Sequence, residues 1–257
     1  EVQELKLKAG DDAELVGVPS AISQVRQMVD KIAPAGSRVM ITGPSGSGKE
    51  VVARLIHARS RRAGNAFVAV NCANMSPAHI EAELFGVEQA DSPRKTGLLE
   101  LAHNGTLYLD EIADMPLETQ GKVLRVLVDQ TFLRLGGNTR VQVDVRVVSS
   151  STRDLHVEIA NGRFREDLYH RLNVVPVRVP SLAERRDDIP LLVSHFMKRL
   201  SAASGLAIRE IGDDAMAVLQ AHNWPGNVRQ LRNIVERLLI LATDDAAQAI
   251  SADLLPP

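Results

Sequence analysis

A single cysteine, Cys72, stands in 257 residues, so no disulfide can close within the chain and the composition suits a reducing cytoplasm. Long apolar runs are missing too. The stretch RLLILA at 237–242 falls far short of the ~18 residues that a membrane-spanning helix needs, which excludes a membrane protein of that kind. There is no excess of charge: 30 Lys and Arg against 32 Asp and Glu leave a net −2, against broad nonspecific affinity for DNA by this segment alone. With 45% apolar residues the chain is not disordered, and its length suits one large domain or a core with a smaller appendage. The opening EVQELKLKAG has neither an apolar signal core nor an initiating Met. Residues 1–14 are therefore expected to be a linker in a piece of a longer chain.

From about residue 15 to 180, short β-branched runs alternate with helical patterns. Arg38–Thr42, Ala66–Val70, Thr106–Leu109, Val143–Val148 and Val174–Val179 read as strands. The first four are mostly apolar on both faces, as a parallel sheet covered by helices requires. Helical stretches such as Glu50–Arg62 and Pro116–Asp129 lie between them, so βαβ units and an α/β core over residues 15–182 are expected. Phe132–Leu135 and Arg140–Val145 flank Gly136-Gly137-Asn138-Thr139, which predicts a hairpin before the fourth main strand. After Pro180 the β signal stops. Ile189–Ser201, Asp213–His222 and Val228–Leu241 read as helices, a small all-α unit over 183–257.

Gly43-Pro44-Ser45-Gly46-Ser47-Gly48-Lys49 follows one of these strands and precedes a helix. Glycines there let successive N–H groups turn inward around a phosphate, Lys49 neutralises the terminal phosphates, and the helix N-terminus adds its dipole. The alternative is an ordinary glycine-rich turn. Glu50 stands where a hydroxyl usually contacts Mg²⁺: it could reach the metal through water, or serve as a first-turn helix acid before Val51. Downstream, the apolar run Thr106–Leu109 ends in Asp110 and Glu111. Two carboxylates at a buried strand end must each be solvated or paired. Asp110 would hold the water shell of Mg²⁺, and Glu111 would orient and deprotonate an attacking water.

These residues, together with ELFG at 83–86, GTLYLDEIADMP at 105–116, GRFREDLYHRL at 162–172 and WPGNVRQL at 224–231, resemble the AAA+ ATPase domain of bacterial enhancer-binding proteins, the activators of sigma-54 RNA polymerase. The resemblance runs from about Leu15 to the end and is nearest to the nitrogen-related response regulators of that family. It accounts for GKE in place of GKS or GKT, and it implies an AAA+ P-loop NTPase core with a C-terminal helical lid, binding ATP or ADP with Mg²⁺. By resemblance, Asn71 holds the catalytic glutamate inactive; without the family it reads equally well as a strand-end turn residue. Thr152 falls where the family usually has a sensor asparagine, because SSSTRDL replaces ATNRDL.

Arg165 and Arg171 flank the apolar stripe Phe164, Leu168 and Leu172 on one predicted helix. For a lone helix they would be a solvated basic face with Glu166 and Asp167 as partners. The resemblance makes them arginine fingers that reach a neighbouring subunit's ATP, which requires a homo-oligomeric ring, a hexamer or heptamer when active and a dimer otherwise. Arg229 becomes the sensor that couples the lid to nucleotide. A rival reading takes Val228–Leu241 as a DNA-recognition helix, but apolar positions 228, 231, 235 and 238 suit a packed lid helix better.

The family's loop after ELFG contains Gly-Ala-Phe-Thr-Gly-Ala, whose tip engages sigma-54. Here Gly86 is followed by Val-Glu-Gln-Ala-Asp-Ser-Pro-Arg-Lys-Thr-Gly97, without that hexapeptide and without an aromatic wedge. The chain is therefore expected to bind ATP without remodelling sigma-54 polymerase. DNA and a cognate sensor kinase would be met through domains outside this segment, as in a two-component regulator. Two functions stay open: an ATPase whose turnover drives ring rearrangement, and a nucleotide-gated assembly switch with little turnover.

Overall fold

The computed structural model describes residues 15–17, 20–73, 76–88, 94–241 and 249–255. The chain divides into two compact units. The described residues of the first fall within 28–42 and 49–178, and those of the second within 15–27, 43–48 and the stretch from Val179 onward.

In the first unit, β1 (Val39–Thr42), β2 (Phe67–Asn71), β3 (Thr106–Asp110), β6 (Arg146–Ser151) and β7 (Val175–Arg178) form one sheet in the order β2-β3-β6-β1-β7. Every pairing is parallel. The three inner strands are buried on both faces, which is why they read as continuous apolar runs. Pro176, which has no N–H to give a ladder, sits in the edge strand β7. Helix α1 (Ser20–Ile32), of which residues 28–32 fall in this unit, precedes the sheet in the chain, and α2 (Lys49–Ala58), α3 (Pro77–Phe85), α4 (Leu98–Leu101), α5 (Leu117–Asp129), α6 (Leu155–Ala160) and α7 (Glu166–Leu172) are interleaved with it. Between α5 and β6 lies the expected hairpin, β4 (Thr131–Leu133) against β5 (Arg140–Gln142), antiparallel.

Among the boundaries that differ from the sequence reading, three have a local reason. The helix expected over 50–62 stops at Ala58, because the Ser60 hydroxyl donates to the His57 carbonyl at 2.7 Å and turns the chain. The fourth main strand runs over 146–151 rather than 143–148. Arg146 enters it because its guanidinium satisfies three carbonyls at and beyond the end of α1, those of Ile32 (2.9 Å), Ala33 (2.8 Å) and Ser37 (3.0 Å). The three serines that end it are poor strand formers, but the position between β1 and β3 overrides propensity. The helix expected from Phe164 begins at Glu166, with Arg165 as its cap residue.

One core fills the first unit, built around Met40, Leu107, Leu109, Ile112, Phe132 and Leu168. Phe164, Leu168 and Leu172 all lie in it, as their stripe predicts.

The second unit is helical: α8 (Ile189–Ser204), α9 (Asp213–Ala221) and α10 (Asn227–Leu241), preceded by a short 3₁₀ segment, Leu182–Asp188. Ser181 and Glu184 form a capping box at the start of that segment. Leu192, Met197, Leu219, Trp224, Leu231, Val235 and Leu238 make its core, with the Trp224 indole N–H donating to the Leu219 carbonyl at 2.7 Å. The apolar stripe of α10 is thus spent on packing, which removes the DNA-recognition reading. Among the described residues, no helix is long and apolar enough to cross a membrane.

Candidate functional site

The C-terminal end of the parallel sheet collects the polar residues of the first unit, as the topology of open α/β sheets dictates. Lys49 opens α2 just beyond β1, Asp110 ends β3 with Glu111 next in sequence, and Thr152 follows the last residue of β6. Because β6 lies between β1 and β3, these three chain ends are adjacent.

Asp110 is held by two hydroxyls on the same oxygen. Tyr108 Oη donates to Oδ1 at 2.8 Å and Ser150 Oγ at 2.5 Å, while Oδ2 accepts no hydrogen bond among the described residues. Burial drives the Tyr108 phenol well above its ordinary range, so it stays a donor. Ser150 Oγ also accepts from the Glu111 backbone N–H at 3.1 Å, tying the two acids to one strand. Glu111 has left-handed backbone angles, φ 54° and ψ 56°. Such a conformation costs a non-glycine residue about 1–3 kcal/mol and persists only where its surroundings fix it.

The Glu111 carboxylate is bound on both oxygens. Oε2 accepts from the Thr152 backbone N–H at 3.0 Å and from its hydroxyl at 2.8 Å, and Oε1 lies 3.4 Å from Lys49 Nζ. Lys49 is 6% exposed, so this pair is largely shielded from water. Asn71 ends β2, level with Asp110 of β3. Its Oδ1 accepts from the Ala73 N–H at 2.9 Å, and among the described residues no hydrogen bond joins it to Glu111. Nearby Cys72 is buried, and burial with the charges of Asp110 and Glu111 pushes its thiol up to about 12.

The 43–48 loop belongs to the second unit. Gly46 and Gly48 take φ 73° and 105°, the region that favours glycine. A Cβ at Gly48 would point into open space, with nothing within 4 Å, whereas one at Gly46 would collide with the Gly226 carbonyl. Ser47 Oγ is buried without a hydrogen-bond partner, a cost of about 1–3 kcal/mol that an acceptor-rich anion would offset. The start of α10 secures this loop. Asn227 Nδ2 donates to the Ser45 carbonyl at 2.9 Å, its Oδ1 accepts from Leu182 N–H at 2.8 Å, and the Arg229 N–H donates to the Gly46 carbonyl at 3.2 Å. The Arg229 side chain is exposed.

Glu50 pairs with Arg54 one turn on, its Oε1 accepting from Nε at 2.9 Å and from Nη2 at 2.6 Å, the geometry of a first-turn helix acid. Arg165 is exposed and forms a two-pronged pair with Asp167, at 3.0 and 2.7 Å. Its backbone N–H donates to Gln120 Oε1 at 2.9 Å. Arg171 is exposed in the last turn of α7.

Three residues with a part in this geometry escaped the sequence reading: Tyr108, Ser150 and Asn227. A signal existed for two of them. Ser150 belongs to a run of hydroxyls at a strand end, and Asn227 directly follows Pro-Gly at a helix start. Tyr108 reads only as an apolar strand position.

A five-strand parallel sheet with a glycine-rich loop after its first strand, paired acids ending the third, and a helical unit after the sheet has the AAA+ P-loop NTPase fold. The chain belongs to the sigma-54 interaction domain family, whose profile matches residues 15–178, and the AAA+ ATPase lid domain matches residues 183–257. It is 59% identical over 258 residues to the nitrogen assimilation regulatory protein NtrX of Azorhizobium caulinodans, covering all of this chain and 57% of that protein. Crystal structures of NtrX from Brucella abortus are similar. One, in complex with ADP, has TM-score 0.91 and 59% identity over 99% of this chain and 58% of that one. Another, in complex with ATP, has TM-score 0.90 and 60% identity over 95% of this chain and 54% of that one. The chain spans about half the length of the curated relatives it matches.

Proposed function

We propose that this chain is the ATP-binding and ATP-hydrolysing domain of a two-component transcriptional regulator of the NtrX type. The observation that carries the reading is the convergence of Lys49, Asp110 and Glu111 at one sheet end, with Glu111 Oε1 3.4 Å from Lys49 Nζ. Nucleotide complexes of the Brucella NtrX support it, as do the open cradle at Gly48 and the unpartnered Ser47 hydroxyl.

Gly43, Pro44, Ser45, Gly46, Ser47 and Gly48 present N–H groups and one hydroxyl to the phosphates, Lys49 adds its charge, and the first turn of α2 through Glu50 and Val51 supplies the dipole. Mg²⁺, when bound, neutralises charge on the β- and γ-phosphates. Asp110 Oδ2 fits its water shell, because both hydroxyl bonds fall on the other oxygen. Glu50 is already paired with Arg54, which supports the helix-acid role over a metal role. Glu111 orients the attacking water and takes its proton. Arg165 and Arg171 act on a neighbouring copy's phosphates in a ring, and Arg229 couples the helical unit to nucleotide. Sigma-54 remodelling is not part of this function, because the Gly-Ala-Phe-Thr-Gly-Ala hexapeptide does not occur in the sequence. The shortened stretch after Gly86 includes 89–93, outside the described residues.

ATP turnover with Mg²⁺ across a range of protein concentrations tests the reading, with Lys49→Ala as the blank. Specific activity should rise with concentration as shared sites assemble. Tight ATP binding with no turnover at any concentration would replace the motor by a nucleotide-gated assembly switch. The occupied Glu111 carboxylate is the one observation that favours this second reading.

A further inference from the structure

Gln120 lies on α5, fully buried, and its side-chain amide reaches the main chain of two other segments. Nε2 donates to the Met115 carbonyl at 2.7 Å and to the Arg163 carbonyl at 3.1 Å, while Oε1 accepts from the Arg165 N–H at 2.9 Å. Both amide donors and the acceptor are thereby engaged, and turning the amide over would set donor against donor. Met115 closes the 3₁₀ turn Ile112–Asp114 that follows Glu111, and Arg163 and Arg165 lead into α7. One amide therefore joins the turn behind the paired acids to the loop that carries an arginine. Other contacts already hold α7. Leu168 and Leu172 lie in the core, and at the far end Arg38 donates to the Arg171 carbonyl at 3.4 Å and to the Leu127 carbonyl at 2.9 Å. What Gln120 adds is the position of the cap residue Arg165, whose side chain stays exposed.

We propose that Gln120 is a positioning residue: it sets where Arg165 enters a neighbouring copy's site, and it ties that placement to the turn after Glu111 in its own copy. The proposal rests on the shared-site hydrolytic reading above. A residue that acts across an interface needs a fixed main chain and a side chain free to extend. Arg165 has both, with its N–H held by Gln120 and its guanidinium paired only with the exposed Asp167. Placement matters, because a reacting group displaced by about 1 Å can cost about 10²-fold in rate. The amide is planar and rigid, so when Met115 moves the group tilts and carries the Arg165 N–H with it. The state of a copy's own acids thereby reaches the arginine that it extends to the next copy.

Gln120→Met keeps the length and the burial but removes all three bonds. Its kcat should fall about 10²-fold, with KM for ATP little changed. Combined with Arg165→Ala it should cause no further loss, because both act through one guanidinium; losses that multiply overturn the proposal. Mixing Gln120→Met with Glu111→Gln should recover turnover where an intact acid meets a well-placed arginine, and no recovery overturns it. Should Gln120→Met fail to fold, Gln120→Glu carries the same two comparisons, since it keeps an acceptor for the Arg165 N–H but loses the donor pair. A further readout needs no turnover. In the nucleotide-free chain, Gln120→Met should speed amide hydrogen exchange at Arg165, while the Tyr169 N–H, bonded to the Arg165 carbonyl at 3.1 Å, keeps its protection. Equal exchange at Arg165, or faster exchange at both, overturns the proposal. At a dilution below assembly, ATP with Mg²⁺ should change exchange at Arg165 in the unmodified chain and not in the Gln120 variant; no response in the unmodified chain overturns the tie to its own site. If the unmodified chain hydrolyses no ATP above the Lys49→Ala blank, the hydrolytic reading fails, and the exchange measurements alone decide whether Gln120 places Arg165.

Discussion

The acids at the end of β3 and the arginines around α7 belong to the same compact unit but are built in opposite ways. Asp110 and Glu111 are fixed from within by Tyr108, Ser150, Thr152 and Lys49. Arg165 and Arg171 face solvent, one paired locally with Asp167 and the other in the last turn of its helix. Preorganised groups stabilise charge well because they need not be rearranged during reaction. Exposed guanidinium groups lose that advantage unless a second surface covers them. The contrast separates groups already fixed within the chain from groups that, in the proposed ring, would be fixed only by a neighbour.

Removing an arginine should break the comparison hardest. Arg165→Ala and Arg171→Ala should each lower turnover by about 10³-fold, the usual worth of an arginine finger, while ATP binding by the isolated chain persists. Mixing Arg165→Ala with Glu111→Gln should recover part of the activity, because some interfaces then pair an intact acid with an intact arginine. An assay of mixtures without recovery would place Arg165 inside its own chain's site.

A smaller effect is expected at the finished end. Ser150→Ala removes a donor to Asp110 and an acceptor for the Glu111 N–H. Supports of metal-binding groups typically contribute about 10- to 100-fold in affinity. The Mg²⁺ concentration for half-maximal turnover should therefore rise by about tenfold, read from a metal titration at saturating ATP.

The same contrast separates what was legible in the sequence from what was not. The inner strands announce themselves because burial on both faces demands continuous apolar residues, and Gly43–Lys49 because a phosphate cradle needs glycine at fixed places. Phe164, Leu168 and Leu172 fall in the core as their spacing requires. Residues 149–151 did not read as strand: three serines carry no strand signal, and only their place between β1 and β3 makes them one. The partner of Glu111 was hidden for a related reason. Thr152 lies 41 positions away, and no local pattern states that the turn after β6 meets the turn after β3. Nor does sequence reveal that Arg165 begins α7 as its cap, since that position is set by Gln120 from α5.

Two further measurements sharpen the picture of the buried strand ends. His57 Nε2 donates to the Asn65 carbonyl at 3.1 Å, and in the neutral ring Nδ1 accepts from Thr106 Oγ1 at 2.9 Å. Burial holds its pKa below the ordinary 6.5. As pH falls below 6.5, the unfolded chain takes up a proton that the folded chain refuses. Stability from this site is thus present above that pH and is lost as pH falls toward the lowered native value. Thermal unfolding followed against pH should show the decline, and His57→Gln should flatten it. Cys72, with its thiol at about 12 and its side chain buried, should resist alkylation at about pH 8 until the chain is unfolded.

The smallest effect should come from Glu50, the residue at which the loop departs from the hydroxyl pattern. Its side chain is 50% exposed and accepts from Arg54, whose guanidinium also sits 4.7 Å above the Phe67 ring. An exposed i,i+4 pair contributes about 0.3–0.5 kcal/mol, so Glu50→Ala should lower stability by no more than that. The informative readout is the metal titration. An acid engaged by Arg54 leaves the Mg²⁺ requirement unchanged when removed, in contrast to Ser150→Ala. An increase comparable to that of Ser150→Ala would mean that nucleotide pulls Glu50 from Arg54 toward the metal, and the metal site would then draw on α2 as well as β3.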